Sequence, residues 1–338
     1  MKNLTSQKKK QEIQDVFPRE IPYHCFREFI ALDADRFAML KNLLDDVRLC
    51  YTVCYIDESR HFFVYPDSLA PASAAFNTIG RPPELILQKA LAKAHVTTVL
   101  AAHYDRAANS PGANDNSAAV FELIKTALAL KKANIGNWLI FFTDKEELKF
   151  GDSLLEQGSY ALAKALKEVG LDKAQVFIFD CCGVGDTLVI STAVDHLLRN
   201  DDDFRVSRSR HLIAQMRERA LTAARNIRME KVLLVPTPFS DDAGFFRAGL
   251  AAQTITALPS YEAAGLASFL RVKPDAASAL VSKRELSASG FLPPTWTLLN
   301  TAQDTIDTLT PRFFQNIVDF AYALVTGRRG DKQRKRGH

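Results

Sequence analysis

Short apolar runs, each stopping at a polar residue, are what most constrain how this chain can fold. Residues 96–102, 138–142 and 176–179 are dominated by β-branched, aromatic and aliphatic side chains, and stretches with helical apolar spacing separate them. Runs this uniformly apolar suit strands buried on both faces, as in parallel sheets covered by helices. Alternation of such strands with helices predicts an α/β architecture, and the carboxyl edge of an open sheet is where its ligands bind. His103 follows the first run, Thr143 the second and Asp180 the third.

Helical spacing recurs over 22–49, 84–94, 116–132, 158–168, 204–227 and 311–325, whereas 49–65, 187–190, 232–235 and 253–256 read as extended. The turn Gly183-Val184-Gly185-Asp186 predicts that 187–190 folds back as a hairpin partner of 176–179. Asp115 stands at or next to the expected N-cap of the 116–132 helix, beside the partial positive charge that favours a carboxylate. The basic face of 204–227 reads as solvated. No linker divides the chain, so a single domain is expected over 16–326, with 1–15 and 327–338 as flexible tails.

The 338 residues are 47% hydrophobic and 24% charged, which fits an ordinary globular protein. A formal charge of +4 is too small to imply a nucleic-acid partner, and the Arg and Lys residues after Gly327 read as a solvated tail. Lys8-Lys9-Lys10 is not followed by the apolar segment of a secretory signal, and no apolar stretch approaches the roughly 20 residues of a membrane span. A cytoplasmic location without membrane contact is therefore expected. Five cysteines without C-x-x-C spacing predict reduced thiols rather than a disulfide or zinc-knuckle framework.

His103-Tyr104-Asp105, Pro111-Gly112-Ala113-Asn114-Asp115-Asn116 and Glu146-Glu147 place an imidazole and several carboxylates at or beyond the ends of apolar runs. Nitrogen and oxygen donors of this kind hold a divalent ion such as zinc, and a further carboxylate nearby can carry a proton. Singly, each has an ordinary reading: a hydrogen-bonded histidine, a helix cap, a charged loop.

Together with Gly158-Ser159, Asp180, Ser240-Asp241 before Phe245 and Gly249, and Asp304-Thr305, the set resembles the co-catalytic zinc aminopeptidases. Glutaminyl cyclases and some carboxypeptidases belong to the same superfamily. The resemblance implies an α/β fold with a mixed, mostly parallel central sheet flanked by helices on both faces. It also implies that His103, Asp115 and Asp180 hold one zinc, and that Asp115 and Glu147 hold a second. Glu146 would be the general base, relaying a proton from the attacking water to the leaving amine. Asp105 would orient His103 through its second ring nitrogen.

Two positions depart from the pattern. Asn300 stands where a last imidazole ligand is expected, so the second position should bind zinc weakly or take a harder ion such as manganese. Asp242 stands where the superfamily usually carries His after Ser-Asp. The expected function is a metallo-aminopeptidase acting on short peptides. A glutaminyl cyclase ranks second, because the single zinc of such enzymes uses the positions matching Asp115, Glu147 and Asn300. A non-catalytic peptide-binding descendant is the remaining alternative.

Overall fold

A computed structural model describes residues 8, 11–12, 14–15, 17, 21–71, 77–93, 98–146, 154–197, 204–281 and 292–327. Glu147, most of the N-terminal tail and the basic run after Gly327 lie outside the described residues. One mixed sheet organises the rest. Its strands are β1 (Cys50–Ile56), β2 (Ser59–Tyr65), β3 (Thr78–Ile79), β4 (Thr98–His103), β5 (Leu139–Thr143), β6 (Gln175–Phe179), β7 (Thr187–Ser191), β8 (Val232–Val235) and β9 (Ala252–Leu258), in the order β3-β1-β2-β5-β4-β6-β9-β7-β8. The centre, β5-β4-β6-β9, is parallel, whereas β2 joins β5 and β7 joins β9 antiparallel.

The described helices are α1 (Tyr23–Phe29), α2 (Arg36–Asp46), α3 (Glu84–Lys93), α4 (Ala118–Lys132), α5 (Gly158–Glu168), α6 (Ala193–Leu197), α7 (Phe204–Asn226), α8 (Asp241–Arg247), α9 (Ser260–Val272), α10 (Ala276–Val281), α11 (Pro294–Thr297) and α12 (Pro311–Thr326). Among the described residues no helix is long and apolar enough to cross a membrane.

Alternation along the strands divides the apolar side chains between two layers. Leu100, Ala102, Phe177 and Phe179 meet Phe121 and Ile124 of α4 and Ile317 and Phe320 of α12 in one core cluster. Val99, Ala101, Val176 and Ile178 meet Leu87 of α3 and Leu162 and Leu166 of α5 in the other. Every residue of β4, β5 and β6 is buried, which is why these strands read as continuous apolar runs. The five cysteines are free thiols.

Three local expectations are corrected. β7 does not pair with β6, because β9 lies between them. The connection carries the chain over the end of β9, where Ala257 N donates to Cys181 O and Asp186 N to Leu258 O. The 22–49 stretch is two helices rather than one, separated at 30–35. The basic face of α7 is not wholly solvated, since Arg219 donates to Gln175 Oε1 at 2.7 Å, Thr98 Oγ1 at 2.6 Å and Leu324 O at 2.5 Å.

Candidate metal centre

Parallel strands deliver their carboxyl ends to one edge, and there the scattered residues meet. His103 closes β4, and Asp180 follows β6 with its amide held by Ile255 O of β9 at 3.0 Å. His103 Nε2 lies 3.1 Å from Asp115 Oδ1 and 3.6 Å from Asp180 Oδ1, and its Nδ1 lies 3.4 Å from Asp105 Oδ1. One donor atom from each of His103, Asp115 and Asp180 falls within 4.8 Å of the others. Ligands about 2 Å from a tetrahedral ion stand about 3–4 Å apart, so the three fit a single zinc-sized cation.

The imidazole itself supports that fit. His103 is fully buried, yet among the described residues neither ring nitrogen makes a well-directed hydrogen bond. Buried polar groups are normally satisfied, and donors that face a common point instead of each other are what a cation requires. Burial alone would lower the imidazole pKa, but Asp105, Asp115, Asp180 and the charge of Glu146 outweigh it and hold it well above the usual value. Burial would raise the Asp180 carboxyl, and the neighbouring His103 instead brings it down. Negative charge is therefore in excess around one imidazole.

Asp115 is not a helix cap. It sits at φ −112° and ψ 86° in the turn Ala113–Ser117, and Ser117 precedes α4 as its cap position. Asp304 anchors this turn: its carboxylate accepts from the amides of Asn114 at 2.8 Å and Asp115 at 3.0 Å. Asn114 Oδ1 accepts from Gly183 N at 2.8 Å. Asn116 donates to Phe179 O at 2.8 Å and accepts from Cys181 N at 3.1 Å. The two amide side chains thus fasten the Asp115 turn to both sides of Asp180. Gly112 permits the bend, because a Cβ there would lie 2.5 Å from Asp115 O at a φ of +59°. Gly112→Ala is expected to lower the melting temperature, as read by calorimetry, since both the left-handed backbone and the space oppose a methyl group.

Asp115, Glu146, Asp180 and Asn300 line a cavity of about 160 Å³ whose other walls include Phe239, Leu292, Trp296 and Leu299. Glu146 is 4% exposed. Asn300 is at the surface end of this group, exposed and with a φ of +60°. Asp242 does not join the cluster. It is buried, its Oδ1 accepts from Ser240 N at 2.9 Å at the start of α8, and it is not among the donors that cluster around His103. Asp241 bonds Thr143 Oγ1, and burial pushes its carboxyl up to about 7. Cys181 Sγ donates to Asp180 Oδ1 at 3.1 Å, which ties up the thiol that borders the cavity.

The site residues legible in the chain omitted those that position them. Asn114 and Asn116 were visible beside Asp115, but only the 179–183 backbone shows what they hold.

No curated protein matches the chain. Among solved structures, its fold is similar to a glutaminyl cyclase from Porphyromonas gingivalis, with 14% identity and a TM-score of 0.54 over 92% of this chain and 98% of that one. A Zn-dependent exopeptidase from Parabacteroides distasonis gives 13% identity and a TM-score of 0.54 over 90% of this chain and 97% of that one. A zinc aminopeptidase from Bacillus subtilis, at 19% identity and a TM-score of 0.48, is matched over 81% of this chain, which spans 51% of that protein's length. The sequence profile of peptidase family M28 matches residues 87–325, from α3 through the His103, Asp115 and Asp180 cluster into α12. By that match, over most of its length, the chain belongs to peptidase family M28.

Proposed function

We propose that this chain is a zinc-dependent aminopeptidase that removes N-terminal residues from short peptides. The reading rests on one observation: the donor atoms of His103, Asp115 and Asp180 converge beside a cavity that Glu146 also lines. These three residues would hold the ion. Glu147 and Asn300 would contribute to a second, weaker position next to Asp115.

When bound there, a divalent ion would supply Lewis acidity toward the scissile carbonyl and toward water. Glu146 takes the proton of the attacking water and delivers it to the leaving amine. Asp105, 3.4 Å from His103 Nδ1, keeps the ring turned so that Nε2 faces Asp115 and Asp180. The carboxylates attract a substrate ammonium, whereas no Arg or Lys among the described cavity-lining residues could pair with a C-terminal carboxylate. That asymmetry favours an aminopeptidase over a carboxypeptidase. Trp296, Leu292, Leu299 and Phe239 offer an apolar wall to the substrate side chain.

A panel of aminoacyl anilides tests the reading, with an N-terminal glutaminyl peptide and a C-terminally unblocked, N-blocked peptide as comparisons. Anilide turnover that a chelator abolishes and zinc restores is expected. Ammonia release with ring closure of the glutaminyl peptide, without anilide turnover, would favour a cyclase, and peptide binding without turnover under any divalent ion would favour a binding protein. Asn300→His is expected to raise the zinc bound per chain, because imidazole is the stronger donor. Unchanged stoichiometry by elemental analysis would remove Asn300 from the metal position.

A further inference from the structure

We propose that Arg36, which precedes the region matched by the family profile, is the positioning residue that sets the ligand spacing of the metal centre. The proposal rests on the reading of His103, Asp115 and Asp180 as ligands. Arg36 opens α2, is 6% exposed and lies with its guanidinium 4.8 Å from the ring centroid of Phe29. Its Nη1 donates to the carbonyls of Tyr104 at 3.1 Å and Asp105 at 3.2 Å. Its Nη2 donates to Pro111 O at 2.7 Å, Gly112 O at 3.3 Å and Ser117 Oγ at 2.8 Å.

The first two acceptors directly follow His103, and the other three bracket Asp115. One rigid, planar cation therefore joins the backbone leaving β4 to the turn that carries the second ligand. Its charge also stands near Asp105, Asp115 and Asp304, which offsets their mutual repulsion. The tie is returned from the other side. Arg106 donates to Ile30 O at 3.2 Å and to Ala31 O and Leu32 O, each at 2.7 Å, so the N-terminal segment and the ligand loop hold each other.

Burying a guanidinium is expensive, and an apolar residue would anchor α2 to the core equally well. What an apolar residue cannot do is fix two carbonyl-rich segments at one separation. A lysine ammonium is a single point and cannot span both acceptor groups as the guanidinium fork does.

Arg36→Met and Arg36→Lys test this, with Arg219→Met as the control for losing a partly buried guanidinium that bridges backbone and side chains elsewhere. Arg219 bonds Thr98 and Gln175, which begin β4 and β6 at the sheet edge opposite His103. Zinc affinity is read by competition with a chromophoric chelator, and hydrogen exchange of residues 111–117 is read in metal-free protein. Arg36→Met is expected to weaken zinc binding about 10–100-fold, with Arg36→Lys also clearly weaker than native. Exchange at 111–117 should quicken in both. Arg219→Met should lower the melting temperature with zinc affinity and that exchange unchanged. Native zinc affinity in the Arg36 variants overturns the proposal, and Arg36→Lys decides it if Arg36→Met does not fold. Should the native protein itself bind no zinc, the metal-centre reading fails. Exchange at 111–117 then decides Arg36's hold on the turn alone: unchanged exchange overturns it as well.

Discussion

Glu146→Gln is expected to lower turnover of an aminoacyl anilide by about 10²–10⁴-fold, the usual contribution of a positioned general base. The substitution keeps the shape of a side chain that lines the cavity and is 4% exposed, but removes its ability to accept a proton. Glu146 is not one of the three clustered donors, so zinc affinity should stay near native and the loss should fall on kcat. Steady-state kinetics with a parallel zinc titration separate these effects. Turnover within tenfold of native would move the base elsewhere.

The second large effect concerns stability. Glu122 of α4 is fully buried, and among the described residues neither carboxyl oxygen has a hydrogen-bond partner, so burial pushes its pKa well above the ordinary value. An acid whose pKa is raised by folding contributes all its stability below the unfolded pKa and loses it as the pH rises through the folded pKa. Native protein should thus weaken as the pH climbs from about 4.3, the ordinary Glu value. Glu122→Met, which fills a similar volume without the polar atoms, should gain about 1–3 kcal/mol at pH 7 and less at pH 4. Asp242 and Asp304, each pushed up to about 6 by burial, act in the same direction in metal-free protein. The variant therefore reduces the slope without removing it. Denaturant titrations at pH 4 and pH 7 measure both terms. No gain at pH 7 would show that the native carboxyl is accommodated without penalty.

His103 and Asp180 were legible as candidates because a buried parallel strand has a plain local signature and its end marks the edge where polar groups collect, whereas Asp115 and Glu146 were picked out by the family resemblance. Pairing has no such signature. The 187–191 run has the composition of a strand whichever neighbour it takes, and only β9, far along the chain, reveals that β6 is already occupied. Asp115 failed as a cap for a related reason. An Asp before an apolar helix has the chemistry of one, but α4 begins only at Ala118, behind Ser117, and the Asp115 carboxylate lies 3.1 Å from His103 Nε2 instead. Arg36 was the least legible. An arginine at the first turn of an amphipathic helix looks solvated unless the acceptors it reaches, across some 70 residues of chain, are known.

Anomalous diffraction at the zinc edge, from crystals grown with zinc, tests the convergence of His103, Asp115 and Asp180 most directly. The account requires a peak about 2.0–2.2 Å from His103 Nε2 and from a carboxylate oxygen of each of the two aspartates. A peak bound elsewhere, with His103 still facing those carboxylates and no ion between them, would contradict it.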